Sequence, residues 1–392
     1  MTRFTRFLWV FFACWGAGVA RADAPAEPEP EVVQLPSTVT TGNPAVDTIR
    51  FEWYAPQHIA AGSRAPAIVA LHSLGGDINV PRGFARYFSQ RGVGAAVVEL
   101  PYHFHRALPG VSPASRFVGS DSEVVALSWK QSYADVSSVL TWLEARPDVD
   151  PNRLGANGVS LGAITIHGVM GQDPRIKAAV TFVGGGDFPY IYQNSTLLNL
   201  SLGRRRRVGP EDIATLQPID PLALAPNNRP RRVLMIQAAR DLVIPPYASK
   251  ELWNALGRPP IRWVDCGHFG LNLALPQAHR AAFAFLQSAW NDAEQNGEDT
   301  SRLRAPKIYI PTLKAGLLSG LDSNLTPAVT VQVASLGTRP DHLAWVHADV
   351  GFTGRGPYVG LAATITSFVD IGYGRRLGGR KFRPYIGTQV AF

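Results

Sequence analysis

Cysteine is nearly missing from this chain, with two among 392 residues, Cys14 and Cys266. Lysine is scarce as well: of 38 basic residues only six are Lys (positions 130, 177, 250, 307, 314 and 381), so the net charge of +8 is carried by arginine. Charged residues make up only 17% of the sequence against 46% hydrophobic ones, which excludes disordered and low-complexity classes. Glycine (37) and proline (31) show no collagen-like period. The basic excess is spread along the chain and does not point to a nucleic-acid partner. Its one dense run, Arg204 to Arg207, reads more readily as a solvated loop than as a contact for anionic lipid or polysaccharide.

No apolar run near the amino terminus is long enough for a comfortable membrane span of roughly 20 residues. Phe7 to Ala20 is shorter, follows Arg3 and Arg6, and ends at Ala20-Arg21-Ala22, the small residues a signal peptidase requires. Residues 1–22 are therefore expected to be a removable signal peptide, and the protein to be exported, periplasmic or associated with the outer membrane. Removal of Cys14 leaves Cys266 alone, so no internal disulfide is expected and stability must come from the core.

Residues 23–46 read as a linker, its first part rich in Pro and Glu. From 47 to 290 short apolar runs alternate with helical patterns. Strands are expected at 67–71, 94–100, 153–159, 176–183, 232–238 and 261–265, and helices at 83–90, 122–145, 161–170, 249–256 and 276–290. Such alternation implies an α/β fold, a mostly parallel sheet with helices on both faces. Residues 188–230 interrupt the rhythm with Tyr, Asn, Leu, Arg and Pro and read as a cap or lid-like insertion. A polar stretch, 291–306, reads as a second linker. Beyond it, residues 307–392 alternate apolar and polar side chains in about five segments, the pattern of an antiparallel all-β segment.

Gly158-Val159-Ser160-Leu161-Gly162 fits G-x-S-x-G where a strand gives way to a helix, the context in which a sharp turn lifts a serine hydroxyl above a sheet. A serine needs a histidine to take its proton and a carboxylate to hold that histidine. Asp241 follows one expected strand and His268 the next, completing the chain order Ser, Asp, His. Asp187, ending the strand before the insertion, is the alternative acid. An oxyanion hole is expected from the N–H of Leu161, with a second from Ser73 or Leu74 in the glycine turn after Leu71. His72 more readily shapes that turn than acts as base, Asp77 reads as a turn residue, and His167 as structural. His103 and His105 form a possible metal pair, but no carboxylate or cysteine cluster accompanies them, so loop hydrogen bonding is the stronger reading. Cys266 reads as a small buried residue.

These residues resemble the α/β-hydrolase superfamily across roughly 50–290, and secreted esterases and dienelactone-hydrolase-like proteins within it. The resemblance implies an eight-stranded sheet, no cofactor, an acyl-enzyme on Ser160 and water as second acceptor, with a small ester or lipid as substrate. His72-Ser73-Leu74-Gly75-Gly76 departs from the commoner His-Gly start of the oxyanion turn. The alternatives are a peptidase on the same scaffold and a non-catalytic envelope protein whose role lies in the last segment. That segment, with Phe392 ending an alternating run, resembles the closing strand of outer-membrane β-barrels. About five strands are too few to close such a barrel alone. Either several chains share one barrel, which would make the protein an oligomer, or a small β-sheet packs on the hydrolase.

Overall fold

A computed structural model describes residues 29–201, 207–228, 231–297, 299–308, 312–321, 325–336, 346–366 and 369–391. The expected signal peptide and most of the Arg204–Arg207 run lie outside these residues. Eight strands form the first sheet: β1 (Glu31–Pro36), β2 (Thr48–Tyr54), β3 (Ala65–Leu71), β4 (Gly94–Glu99), β5 (Val149–Val159), β6 (Ala178–Phe182), β7 (Arg232–Ala238) and β8 (Ile261–Val264). Their order is β1-β2-β4-β3-β5-β6-β7-β8. β1 and β2 are antiparallel to their neighbours, and β4 through β8 run parallel.

The central strands β3, β4, β6 and β7 are buried along their whole length, as their largely apolar content requires. One core cluster gathers Phe51, Val69, Val98, Trp129 and Ile166. The other gathers Ile68, Val97, Phe84, Phe285 and Trp290. Helices α1 (Asn79–Ser89), α2 (Ser122–Glu144), α3 (Leu161–Met170), α4 (Pro246–Ala255) and α5 (Leu275–Asn296) cover the two faces.

Two expectations need correction. β1 lies inside the stretch read as a linker (23–46): its residues alternate between exposed and half-buried, an edge strand ending at Pro36, where a missing N–H costs nothing. Residues 291–306 are not a free connection either. Helix α5 runs to Asn296, Leu303 is buried, and Arg262 donates to the carbonyls of Ala305 and Pro306 at 3.0 and 2.8 Å.

Strands β9 (Thr312–Ser319), β10 (Thr326–Leu336), β11 (Val346–Thr353), β12 (Gly356–Thr366), β13 (Val369–Arg376) and β14 (Arg383–Ala391) close into one antiparallel barrel within a single chain. Closure comes from β14 pairing with β9, in register from Ile386 opposite Ser319 to Ala391 opposite Lys314. This corrects the expectation of about five strands: six close here without a strand from a second chain. β9 departs from apolar–polar alternation because exposed Leu317 is followed by buried Leu318 and exposed Ser319.

A six-stranded barrel is narrow. Tyr358 and Tyr385 fill it, and glycines give them room: a Cβ at Gly372 would sit 2.5 Å from the Tyr385 ring, and one at Gly351 2.6 Å from Tyr358. The sheet and the barrel belong to one compact unit that starts at Glu31.

Candidate active site

Ser160 stands between β5 and α3 with φ 53° and ψ −110°, a backbone conformation disfavoured for a residue with a side chain. Its N–H donates to Phe182 O at 2.9 Å, which fixes the turn to β6. The flanking glycines are required sterically. A Cβ on Gly162 would lie 2.6 Å from Leu71 Cβ and 2.8 Å from His72 O, and one on Gly158 would lie 2.6 Å from the Gly162 carbonyl. Gly162 N–H donates to His72 O at 3.0 Å, tying the turn to the loop after β3.

The structure brings Ser160, Asp241 and His268 together. His268 Nε2 lies 2.9 Å from Ser160 Oγ, and His268 Nδ1 lies 2.7 Å from Asp241 Oδ2. With Nδ1–H donating to the carboxylate, Nε2 is left to accept from the serine hydroxyl. The second carboxylate oxygen of Asp241 accepts the N–H groups of Val243 and Ile244, both at 2.8 Å, so both oxygens are spoken for and the carboxyl plane is fixed. All three side chains are buried, which strengthens each of these contacts.

Leu161 is the first residue of α3, so its N–H has no partner within the helix and lies beside the serine. The loop from His72 to Gly76 is braced by two neutral histidines. His72 donates from Nδ1 to Ser73 O at 2.9 Å and accepts Leu100 N–H on Nε2 at 3.0 Å. His103 donates from Nδ1 to Pro101 O at 2.9 Å and accepts Gly75 N–H on Nε2 at 3.1 Å. Burial depresses both: His72 well below its ordinary value, His103 down to about 4. The bracing role of His103 was not legible in sequence, because Gly75 lies 28 positions away.

The remaining candidates fall elsewhere. Asp187 caps the helix Phe188–Asn194, accepting Tyr190 N–H at 3.1 Å, while His268 turns its Nδ1 to Asp241. His105 turns away from His103 to Glu99, 2.8 Å from its Oε1. Asp77 accepts Asn79 N–H at 2.9 Å, a turn contact. His167 is buried against Thr181 Oγ1 at 3.1 Å, and burial lowers it to about 4. Cys266 is buried, and burial pushes its thiol up, out of the range of a nucleophile.

The insertion contains the short helices Phe188–Asn194, Thr196–Ser201, Pro210–Leu216 and Pro221–Leu224. It is bound to the acid loop, since Leu197 N–H donates to Leu242 O at 3.0 Å. Asp220 anchors its entry, accepting the N–H groups of Asp187 (2.8 Å), Phe188 (2.5 Å) and Leu222 (2.8 Å).

A feature without any sequence signature is the reach of Arg240, the residue before Asp241, into the barrel. Its Nε donates to Asp265 Oδ1 at 2.7 Å, Nη1 to Asp370 Oδ1 at 3.2 Å and Nη2 to Gln332 Oε1 at 3.0 Å. Among the described residues one cluster has the donors for a metal, His347, Asp349 and Asp370. Lys314 Nζ already lies 3.0 Å from Asp349 Oδ2 and 2.8 Å from Asp370 Oδ2, filling the place of a cation.

Strand order and the serine turn give the α/β-hydrolase fold, with a six-stranded antiparallel barrel after its sheet. Comparison with known proteins agrees. The model of the prolyl oligopeptidase family matches residues 123–266. The fold is similar to that of an acetyl xylan esterase from Paenibacillus sp. R4, at 22% identity and TM-score 0.51, covering 62% of this chain and 79% of that one. It is also similar to the acylaminoacyl peptidase of Pyrococcus horikoshii (17%, TM-score 0.50, 67% of this chain and 41% of that one). A puromycin-hydrolyzing peptidase of Mycobacterium tuberculosis gives 18% and TM-score 0.50, over 67% of this chain and 39% of that one. The chain thus spans about two fifths of the length of each peptidase. No curated protein matches the sequence.

Proposed function

We propose that the protein hydrolyses a carboxylic ester through an acyl-enzyme on Ser160. The observation that carries this reading is His268, held between Ser160 Oγ at 2.9 Å and Asp241 Oδ2 at 2.7 Å. Ser160 Oγ attacks the ester carbonyl as His268 Nε2 takes its proton. Asp241 keeps the imidazole in the tautomer that accepts at Nε2 and stabilises the imidazolium that forms. The oxyanion is received by Leu161 N–H and by an N–H of Ser73 or Leu74, in a loop braced by His72 and His103. His268 then protonates the departing alcohol, and water, activated by the same histidine, releases the acid and restores Ser160. The insertion at 188–230, bonded to the acid loop through Leu242, is the element that limits the acyl or alcohol group. An envelope location, expected from residues 1–22 and the barrel, belongs to the same proposal.

A peptidase is the second reading, favoured by the match of residues 123–266 to the prolyl oligopeptidase family. Paired substrates decide between them: an aryl ester and the anilide of the same acyl group. The ester reading expects turnover of the ester and none of the anilide, both lost in Ser160→Ala. Comparable kcat/KM on the anilide would replace it with the peptidase.

A further inference from the structure

The barrel is polar inside and apolar outside, the reverse of a water-soluble barrel. Lys314, Thr330, Gln332, His347, Asp349 and Asp370 face its interior and are buried. Each has a partner there: Thr330 Oγ1 meets Tyr358 Oη at 2.6 Å, and His347 Nδ1 lies 2.9 Å from Asp349 Oδ1. Outward, one residue from each strand in turn shows the opposite character. Leu317 is 41% exposed, Val331 37%, Val350 39%, Leu361 62%, Ile371 49% and Ile386 53%. The apolar surface therefore runs around the whole circumference. An apolar face of this extent in water opposes folding and invites association.

The occupant follows from the shape of this surface. A second copy seated by a twofold axis would cover one sector and leave the rest wet. Only a surrounding fluid touches all six strands. The strands, 8 to 11 residues long, match the roughly 9–11 tilted residues that cross a bilayer's hydrocarbon. Closure of β14 on β9 leaves no edge strand for lipid to leave unsatisfied.

The two ends differ. One end meets the hydrolase through Arg240, where β13 begins. At the other, the β11–β12 turn and the β13–β14 connection carry Arg355, Arg375, Arg376, Arg380, Lys381 and Arg383, with no acid in 353–357 or 375–383. Phe382 stacks on Tyr373 there, with Arg375 over its ring at 5.3 Å. Aromatic rings beside cations are the chemistry of a membrane–water interface.

We propose that the barrel is held in a lipid bilayer, acyl chains against its outward face and anionic headgroups against the basic end remote from the hydrolase. This rests on the barrel alone and does not depend on the reaction at Ser160.

The test uses the full chain, taken from detergent into vesicles of phosphatidylethanolamine and phosphatidylglycerol and separated by flotation. The protein is expected to float with the vesicles and to stay bound in high salt and at alkaline pH. A Leu361→Trp variant reports the same contact without disturbing the fold: its added fluorescence is quenched by brominated acyl chains. The triple variant Val331→Asp, Leu361→Asp, Ile371→Asp is expected to float at least about tenfold less, because each charge opposes entry into hydrocarbon. Should it fail to fold, the tryptophan readout stands alone. Replacing Arg375, Arg380 and Lys381 with Gln lowers capture by vesicles containing phosphatidylglycerol and leaves capture by phosphatidylethanolamine vesicles unchanged. Protein left at the bottom of the gradient overturns the proposal. So does a discrete soluble oligomer whose Leu361→Trp fluorescence is unquenched, which would assign the face to copies of this chain.

Discussion

Arg240 and Asp370 lie 130 positions apart and meet at 3.2 Å, so the residue that precedes the triad's acid is fixed by a strand of the barrel. Asp265 and Gln332 hold the other two nitrogens of the same guanidinium, and Gln332 Nε2 also donates to Asp265. The Asp241 backbone thus starts from a buried, fully bonded anchor built by both parts of the chain.

Arg240→Lys tests that anchor. A lysine keeps the charge but presents a point donor, which cannot satisfy Asp265, Asp370 and Gln332 together. The expected result is a kcat lowered by about tenfold with KM within about twofold, since a small displacement of Asp241 misaligns His268 without touching substrate. Steady-state kinetics on an aryl ester checks it, and an unchanged kcat would mean that the barrel carries no weight in the site.

His103→Ala removes the acceptor of Gly75 N–H and loosens the loop proposed to offer the oxyanion donor. The expected loss is again in kcat, on the order of tenfold, smaller than the 10²–10³ of deleting a donor outright. A pH dependence follows. Burial depresses His103 and His167 from 6.5 to about 4. A histidine depressed in the folded state contributes stability above its unfolded value and loses it as pH falls through the folded one. Melting temperature should therefore decline between pH 6.5 and 4, and His103→Gln should flatten part of that decline.

Asp220→Ala leaves three backbone N–H groups at the entry to the insertion without their acceptor. A destabilisation of roughly 1–3 kcal/mol is expected from each buried donor left unpaired, reduced where water enters. Denaturant unfolding measures it, and hydrogen exchange should show the added opening confined to residues 187–224.

Lys314→Met leaves Asp349 and Asp370 facing each other inside the barrel without the ammonium that joins them. About 3–5 kcal/mol of stability is expected to be lost, because one partner of a buried pair is removed and its anions stay behind. Replacing Lys314, Asp349 and Asp370 together with apolar residues of like volume should recover much of it.

The amino-acid sequence shows its local features well and its distant ones poorly. β3, β4, β6 and β7 are largely apolar runs and can be read directly, whereas Asn157 in β5 and Arg262 in β8 interrupt theirs. The serine turn follows from two glycines at fixed spacing. β1 was obscured because an antiparallel edge strand needs no apolar run, only a neighbour. Barrel closure depends on the register of β14 against β9, which no periodicity encodes. Arg240 looks like any arginine until residues 265, 332 and 370 are brought to it.

The most direct test of the central claim is intact-mass analysis of the protein after exposure to a fluorophosphonate. The account predicts a single adduct mapping to Ser160, absent in Ser160→Ala and slowed about 10⁴-fold in Asp241→Asn, where the histidine loses its tautomer. A folded protein that takes no adduct, or takes it at another residue, would contradict the account.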